Sequence, residues 1–333
     1  MNSLLVNSFF ALGISFLVTF ALVPLLSSLA RRIHFLDVPD GTIKQHSKPV
    51  PYLGGVAVYL GFLCAFVFVL PFQNSLISFL IGATLLLFIG LMDDFFVLKP
   101  YQKFFGQLIS AFCFLKAGFY LKEHFFSSGE LLTVGLSLLW ILSIINAFNL
   151  IDVMDGLATL VALLAAGGFI AIAIACHNGA LVLLFCSLIG ALAAFFLFNR
   201  PPAQIYLGDA GSLFLGGVFA EAPFLFPWGM YTIYGFLTPI IILVIPLLEV
   251  VSLIVIRRYK KIPFYRGSPD HFSHYLLRNG WNKWGILGYI ALLGCVGAGV
   301  AHEFFLGYLS LAQMVGVGGV FLGLWFGLLF VKE

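Results

Sequence analysis

The sequence predicts an all-α integral membrane protein with about eleven transmembrane helices, a single polytopic domain over residues 1–333. Three observations carry this. First, 62% of the 333 residues are hydrophobic and only 9% are charged, against about 45–50% and about 25% in soluble domains. Second, apolar runs long enough, or nearly long enough, to cross a bilayer recur along the chain. Third, nearly all lysines and arginines, and all eight aspartates, fall in the loops of one face.

The runs lie at residues 4–29, 53–72, 75–91, 104–121, 131–148, 157–176, 179–198, 212–227, 232–256, 285–300 and 304–331. Backbone groups in lipid must pair internally, which leaves helices or closed barrels. The runs lack the two-residue alternation of barrel strands, so they are helices. The first has no basic region ahead of it and is read as a span, not a cleavable leader. Cys64, Cys113, Cys176, Cys186 and Cys295 all lie in or beside apolar runs without a CxxC pair. They read as small hydrophobes, not a disulfide frame or zinc site. A net charge of +3 is too small to indicate a nucleic-acid partner. No tandem repeat or soluble domain is evident.

Eleven spans place the loops at 30–52, 92–103, 149–156, 199–211 and 257–284, with the C-terminus, on one side. That side carries every lysine and arginine except Lys116 and Lys122. By the positive-inside rule it is cytoplasmic and the N-terminus is outside. The eight aspartates, Asp37, Asp40, Asp93, Asp94, Asp152, Asp155, Asp209 and Asp270, fall on the same side.

The first loop, LDVPDGTIKQHSKPVPYLGG, offers Lys44, His46 and Lys48 as donors to anionic oxygen; a basic loop at a membrane surface otherwise only sets orientation. The second, GLMDDFFVLKPYQKFFGQ, sets Asp93 and Asp94 at a helix end, with Lys103 and Gln107 in the next helix. Adjacent carboxylates suit magnesium, a hard cation that takes oxygen ligands. In the third, INAFNLIDVMDGLA, Asn146, Asn149, Asp152 and Asp155 recur every three residues, which on a helical turn groups four oxygen-bearing side chains at the end of a span. The fourth, FNRPPAQIYLGDAGSLFLGG, flanks Asp209 with glycines at a helix start, where backbone amides can approach a phosphate. The fifth, RRYKKIPFYRGSPDHFSHYLLRNGW, reads as a short interfacial amphipathic helix. Ser268 is its cap, and His271, His274 and Arg278 lie on one face, able to grip a diphosphate. Glu249 lies inside the ninth span, and an intramembrane acid there is functional or paired with a nearby lysine or arginine. Glu221, in the eighth, reads as structural.

Taken together and in order, these loops resemble the polyprenyl-phosphate N-acetylhexosamine-1-phosphate transferase family, over nearly the whole chain. The resemblance implies a magnesium-dependent enzyme (manganese being an alternative) of the plasma membrane, with its site facing the cytoplasm. Its partners would be a UDP-N-acetylhexosamine, undecaprenyl or another polyprenyl phosphate, and membrane lipid. Relatives often dimerise, so a homodimer is an implied assembly. Asp209 matches the magnesium ligand of GDxGS, and Asp93 and Asp94 match the DD pair that binds metal or handles the lipid phosphate. Asn146, Asn149, Asp152 and Asp155 match the series lining the nucleotide site, and Tyr206 an aromatic that stacks on uracil. Lys44, His46 and Lys48 match a phosphate-binding loop, and His271, His274 and Arg278 the histidine-rich helix. Two positions depart from the family: Val153 replaces a glycine of DGxDG, and Ser273 a histidine of HFHH. PVPYLGG and SPDHFSHYL replace the TPTMGG and triple-histidine hallmarks of the phospho-N-acetylmuramoyl-pentapeptide branch. UDP-N-acetylglucosamine is therefore the favoured donor, and that branch the alternative. A lipid-linked sugar flippase would place its polar groups at mid-membrane and often show inverted repeats. A non-catalytic scaffold needs no acidic motifs on one face.

Overall fold

The computed structural model describes residues 2–37, 49–70, 74–121, 130–261 and 269–329. It is almost entirely helical. Helices α1 (Asn2–Arg32), α2 (Gly54–Val69), α3 (Asn74–Phe96), α4 (Pro100–Lys116), α5 (Glu130–Ile151), α6 (Leu157–Ala175), α7 (Gly179–Asn199) and α8 (Gly208–Glu221) follow the first eight apolar runs. Then come α9 (Thr238–Ile242), α10 (Val244–Tyr259), the short α11 (Phe272–Arg278), α12 (Lys283–Phe305) and α13 (Leu311–Leu329). Among the described residues, seven helices (α1, α3, α5, α6, α7, α12 and α13) are long and apolar enough to cross a membrane individually. With large apolar side chains such as Phe9, Phe10, Phe68 and Ile233 turned outward, the chain is a multi-pass membrane protein.

Four details depart from the sequence reading. The run at 232–256 is broken, and its halves Gly235–Ile242 and Val244–Tyr259 are inclined by 71°. Pro246 is the cause: it has no N–H for the carbonyl of Ile242, and its ring crowds that carbonyl. The eleventh span starts only at Leu311, because α12 runs on to Phe305 and closes at Gly307 with φ of 80°. The interfacial helix begins at Phe272 with His271 as its cap, three residues later than a start at Pro269; Ser268 lies outside the described residues. Finally, β1 (Leu36–Asp37) pairs antiparallel with β2 (Val50–Pro51), Leu36 opposite Pro51. This ribbon closes the first loop, whose Lys44, His46 and Lys48 lie outside the described residues.

Helix α8 is the axis of the bundle. Every residue from Ala210 to Glu221 is buried, and α2, α3 and α5 pack around it. Small residues permit this. A Cβ on Gly55 would collide with the backbone of Gly211, so α2 and α8 meet backbone to backbone where both start. The ends of α3 and α5 and the starts of α2, α4 and α8 thereby share one end of the bundle.

Candidate active site

That end gathers polar side chains from four helices. Asp93 and Asp94 come from the last turn of α3. Lys103 sits in the first turn of α4, which Pro100 opens and the Gln102 side chain caps by accepting from the Lys99 amide at 2.9 Å. Asn149 closes α5, and Asp209 and Ser212 open α8.

Lys103 is the hub. Its Nζ lies 2.8 Å from Asp93 Oδ2, 2.7 Å from Asp209 Oδ2 and 3.0 Å from Asn149 Oδ1. The Asn149 amide donates to Asp209 Oδ1 at 2.5 Å and to Ser212 Oγ at 3.0 Å. The other oxygen of Asp93 accepts from the Leu98 amide at 2.7 Å, which fixes the α3–α4 turn. Charge-assisted bonds of this kind outweigh neutral ones.

The adjacent Asp94 does something different. Its two oxygens accept from the amides of Asp209 (2.8 Å) and Ala210 (3.0 Å). The amides expected to approach a phosphate at this helix start are thus held by a carboxylate of the protein itself. The arrangement requires glycine at 208, where φ is 73° and a Cβ would stand 2.7 Å from Asp94 Oδ2.

The four residues of the third loop also separate. Asn146 exchanges hydrogen bonds with Gln107 (2.8 and 3.4 Å), bracing α5 against α4 below the cluster. Asn149 is in the cluster. Asp152 lies in the turn after α5; desolvation, and then the carboxylates of Asp209, Asp94 and Asp155, push its pKa well above the usual carboxylate range. Asp155 accepts from Lys283 Nζ at 2.7 Å and from the Ala203 amide at 3.3 Å, tying this turn to α12 and to the fourth loop. Val153, which replaces a family glycine, is not among the residues with positive φ; the left-handed position of this turn is Gly156, with φ of 75°. Valine therefore meets no left-handed strain in this turn.

Tyr206 is anchored by its backbone to Pro51 (2.9 Å) and Gly54 (3.0 Å), and its ring lies 6.3 Å from that of Tyr52. The Tyr52 hydroxyl donates to Asp37 at 2.8 Å. Burial, followed by nearby aspartates, raises both phenols far above their ordinary range, so they stay protonated.

In the fifth loop the expected row of His271, His274 and Arg278 is not a free face. Buried His271 turns to Glu249 in α10, its Nδ1 2.9 Å from Oε1; among the described residues the intramembrane acid thus pairs with a histidine, not with a lysine or arginine. His274 faces the carbonyls of Val153 and Pro269, and desolvation and the neighbouring His271 lower its pKa. Arg278 donates to the Pro269 carbonyl and lies over the Tyr275 ring at 5.1 Å. The buried Ser273, where relatives often have histidine, has no hydrogen-bond partner for its hydroxyl among the described residues.

Sequence reasoning passed over Tyr52, Asp37 as a partner, and Lys283. Only the shared one-sidedness of charge pointed to Asp37 and Lys283; their partners are set by tertiary contact.

A sequence profile described as Glycosyl transferase family 4 matches residues 76–226, a stretch that includes Asp93, Asp94, Lys103, Asn149 and Asp209. A probable undecaprenyl-phosphate N-acetylglucosaminyl 1-phosphate transferase of Bacillus subtilis (strain 168) is 30% identical over 279 residues, covering 80% of this chain and 76% of the relative. Phospho-N-acetylmuramoyl-pentapeptide-transferases are similar too. That of Lactobacillus gasseri is 29% identical over 84% of this chain and 97% of its own length. That of Geobacillus thermodenitrificans is 31% identical over 83% and 91%. At these identities, over most of this chain and of the relatives, the chain belongs to glycosyl transferase family 4, among the polyprenyl-phosphate N-acetylhexosamine-1-phosphate transferases its loops resemble.

Proposed function

We propose that the protein transfers N-acetylglucosamine 1-phosphate from UDP-N-acetylglucosamine to undecaprenyl phosphate, releasing UMP, as the first step of a lipid-linked envelope glycan. The observation that carries this is the junction of Asp93, Lys103, Asn149 and Asp209 at one end of a membrane bundle. The reaction sets an anionic phosphate against an anionic diphosphate, and this cluster handles dense negative charge. One bond forms between an oxygen of the lipid phosphate and the sugar-linked phosphorus; the bond from that phosphorus to UMP breaks. The attacking phosphate is already ionised near neutral pH, so no strong base is required.

The donor set suits magnesium. Oxygens of Asp93, Asp209 and Asn149 converge on one cation, Lys103 Nζ. Among the described residues no three acidic, histidine or cysteine side chains could enclose a metal, and magnesium characteristically takes one or two carboxylates plus substrate phosphates. Asp209 and Asp93 would hold it, and when bound it would offset charge on the diphosphate. Lys103 holds these carboxylates together and supplies a positive charge beside the phosphates. Asn149 orients Asp209, Asp94 fixes the start of α8, and Asp152, Asp155 and Tyr206 line the side from which uridine would enter. In this reading the eleven runs all cross the plasma membrane, with the N-terminus outside and the site and C-terminus cytoplasmic, as the basic loops favour.

A second reading keeps the reaction and changes the donor to the muramoyl-pentapeptide nucleotide; relatives bearing that name at 29 and 31% identity support it. Purified protein in detergent, given magnesium, undecaprenyl phosphate and a panel of UDP-sugars, separates the two. UMP release with UDP-N-acetylglucosamine is expected. Release only with the muramoyl-pentapeptide nucleotide would establish the second donor, and no release with any would contradict both.

A further inference from the structure

Glu249 is 2% exposed and belongs to α10, which contributes nothing to the Asp93–Asp209 cluster. A buried carboxylate is costly unless it is bonded, and this one is. Oε1 lies 2.9 Å from His271 Nδ1, and both oxygens lie 3.4 Å from the Phe272 amide. A carboxylate accepts, so Nδ1 carries the hydrogen and Nε2 is left for other work. The His271 ring meets that of His274 edge-on, with centroids 5.7 Å apart. His274 lies beside the carbonyl of Val153, inside the turn that presents Asp152 and Asp155. The contacts therefore run from the interior of α10 through two imidazoles to the turn beside Asp209.

We infer that Glu249 is a positioning residue: it holds His271 in one tautomer and one ring orientation and, through His274, sets where the Asp152–Asp155 turn stands relative to Asp209. An imidazole without such a partner can flip its ring and exchange which nitrogen bears hydrogen, and its contact with His274 then varies. Carboxylates that orient functional imidazoles act in this indirect way. The inference rests on the transferase reading for its consequence but not for its geometry.

The test uses full-length protein in detergent, with Glu249→Ala, Glu249→Gln, His271→Ala and both Glu249 changes in the His271→Ala background. Nitrogen NMR of histidine-labelled protein reads the tautomer without turnover, His271 being assigned by the signals lost in His271→Ala. Hydrogen on Nδ1 in the wild type, with a shift to the usual Nε2–H form in Glu249→Ala, is expected. Hydrogen on Nε2 alone in the wild type, or no change in Glu249→Ala, would overturn the inference. In the turnover assay, Glu249→Ala should raise KM for the UDP-sugar about tenfold and leave KM for the lipid phosphate unchanged. Glu249→Gln, which keeps an accepting oxygen, should restore part of the loss, and Glu249→Ala should cost nothing further once His271 is gone. Equal costs in both backgrounds, or equal loss for both substrates, would mark the pair as structural only. A wild type that releases no UMP would sink the transferase reading while the NMR result still decides the role of Glu249.

Discussion

Helix α8 carries an acid at each end, and the two live in opposite surroundings. At its start Asp209 touches Lys103 and Asn149 and stands beside Asp93. At its end Glu221 is 0% exposed, and neither carboxyl oxygen has a hydrogen-bond partner among the described residues. The preceding carbonyl, that of Ala220, accepts from Trp140 at 2.9 Å, so that backbone group is satisfied and the acid is left over. Depth of burial therefore does not track the polar partners of an acid: Glu221 is the more buried of the two. What distinguishes Asp209 is a cation and an amide arranged to hold its charge, with further acids close by.

The comparison can be broken by substitution. The largest effect should follow Asp209→Asn, which keeps the shape and removes the charge. UMP release should fall at least about a hundredfold, the scale on which a lost electrostatic stabiliser is felt. Lys103→Gln should come next, with a loss of about 10- to 100-fold, because Asp93 and Asp209 are then left without their shared cation. The DD pair should then split. Asp93→Asn should lower turnover with little change in Tm. Asp94→Asn loses charged acceptors for two α8 amides, so it should cost about 1 kcal/mol of stability, read as a lower Tm, before any effect on chemistry.

A pH-dependent prediction concerns Asp152. Its folded-state pKa is raised, so the folded protein binds that proton more tightly than the unfolded chain. The stability this contributes is present below the unfolded carboxylate range and is lost as pH rises. Asp152→Asn should thus raise the Tm of substrate-free protein at neutral pH by about 2 °C per kcal/mol of relieved desolvation and repulsion. The gain should vanish below about pH 4, near the ordinary aspartate pKa. The smallest effect is expected for Glu221→Gln, with activity within about twofold of wild type, since no bonded partner is lost.

Much of this was legible in the sequence. Hydropathy located the helices because lipid demands long apolar segments, and the one-sided aspartates located the cluster because soluble charge has only the loop ends to occupy. Three things were not legible. The adjacency of Asp93 and Asp94 suggested one shared role, but successive residues of a helix point about 100° apart, and only the packing of α3 on α8 assigns one to Lys103 and the other to the α8 amides. The three-residue spacing from Asn146 to Asp155 suggested one group of side chains, but α5 ends at Ile151, so the helical period stops halfway through the series. The break at Leu243 depended on Pro246 within a run that hydropathy reads as continuous.

The most direct test of the central claim compares the two ends of α8 in one assay: UMP release from UDP-N-acetylglucosamine with undecaprenyl phosphate and magnesium, for wild type, Asp209→Asn and Glu221→Gln. Release by wild type and Glu221→Gln, abolished by EDTA and by Asp209→Asn, is the expected result. Equal release by Asp209→Asn and wild type, from equally folded preparations, would contradict it.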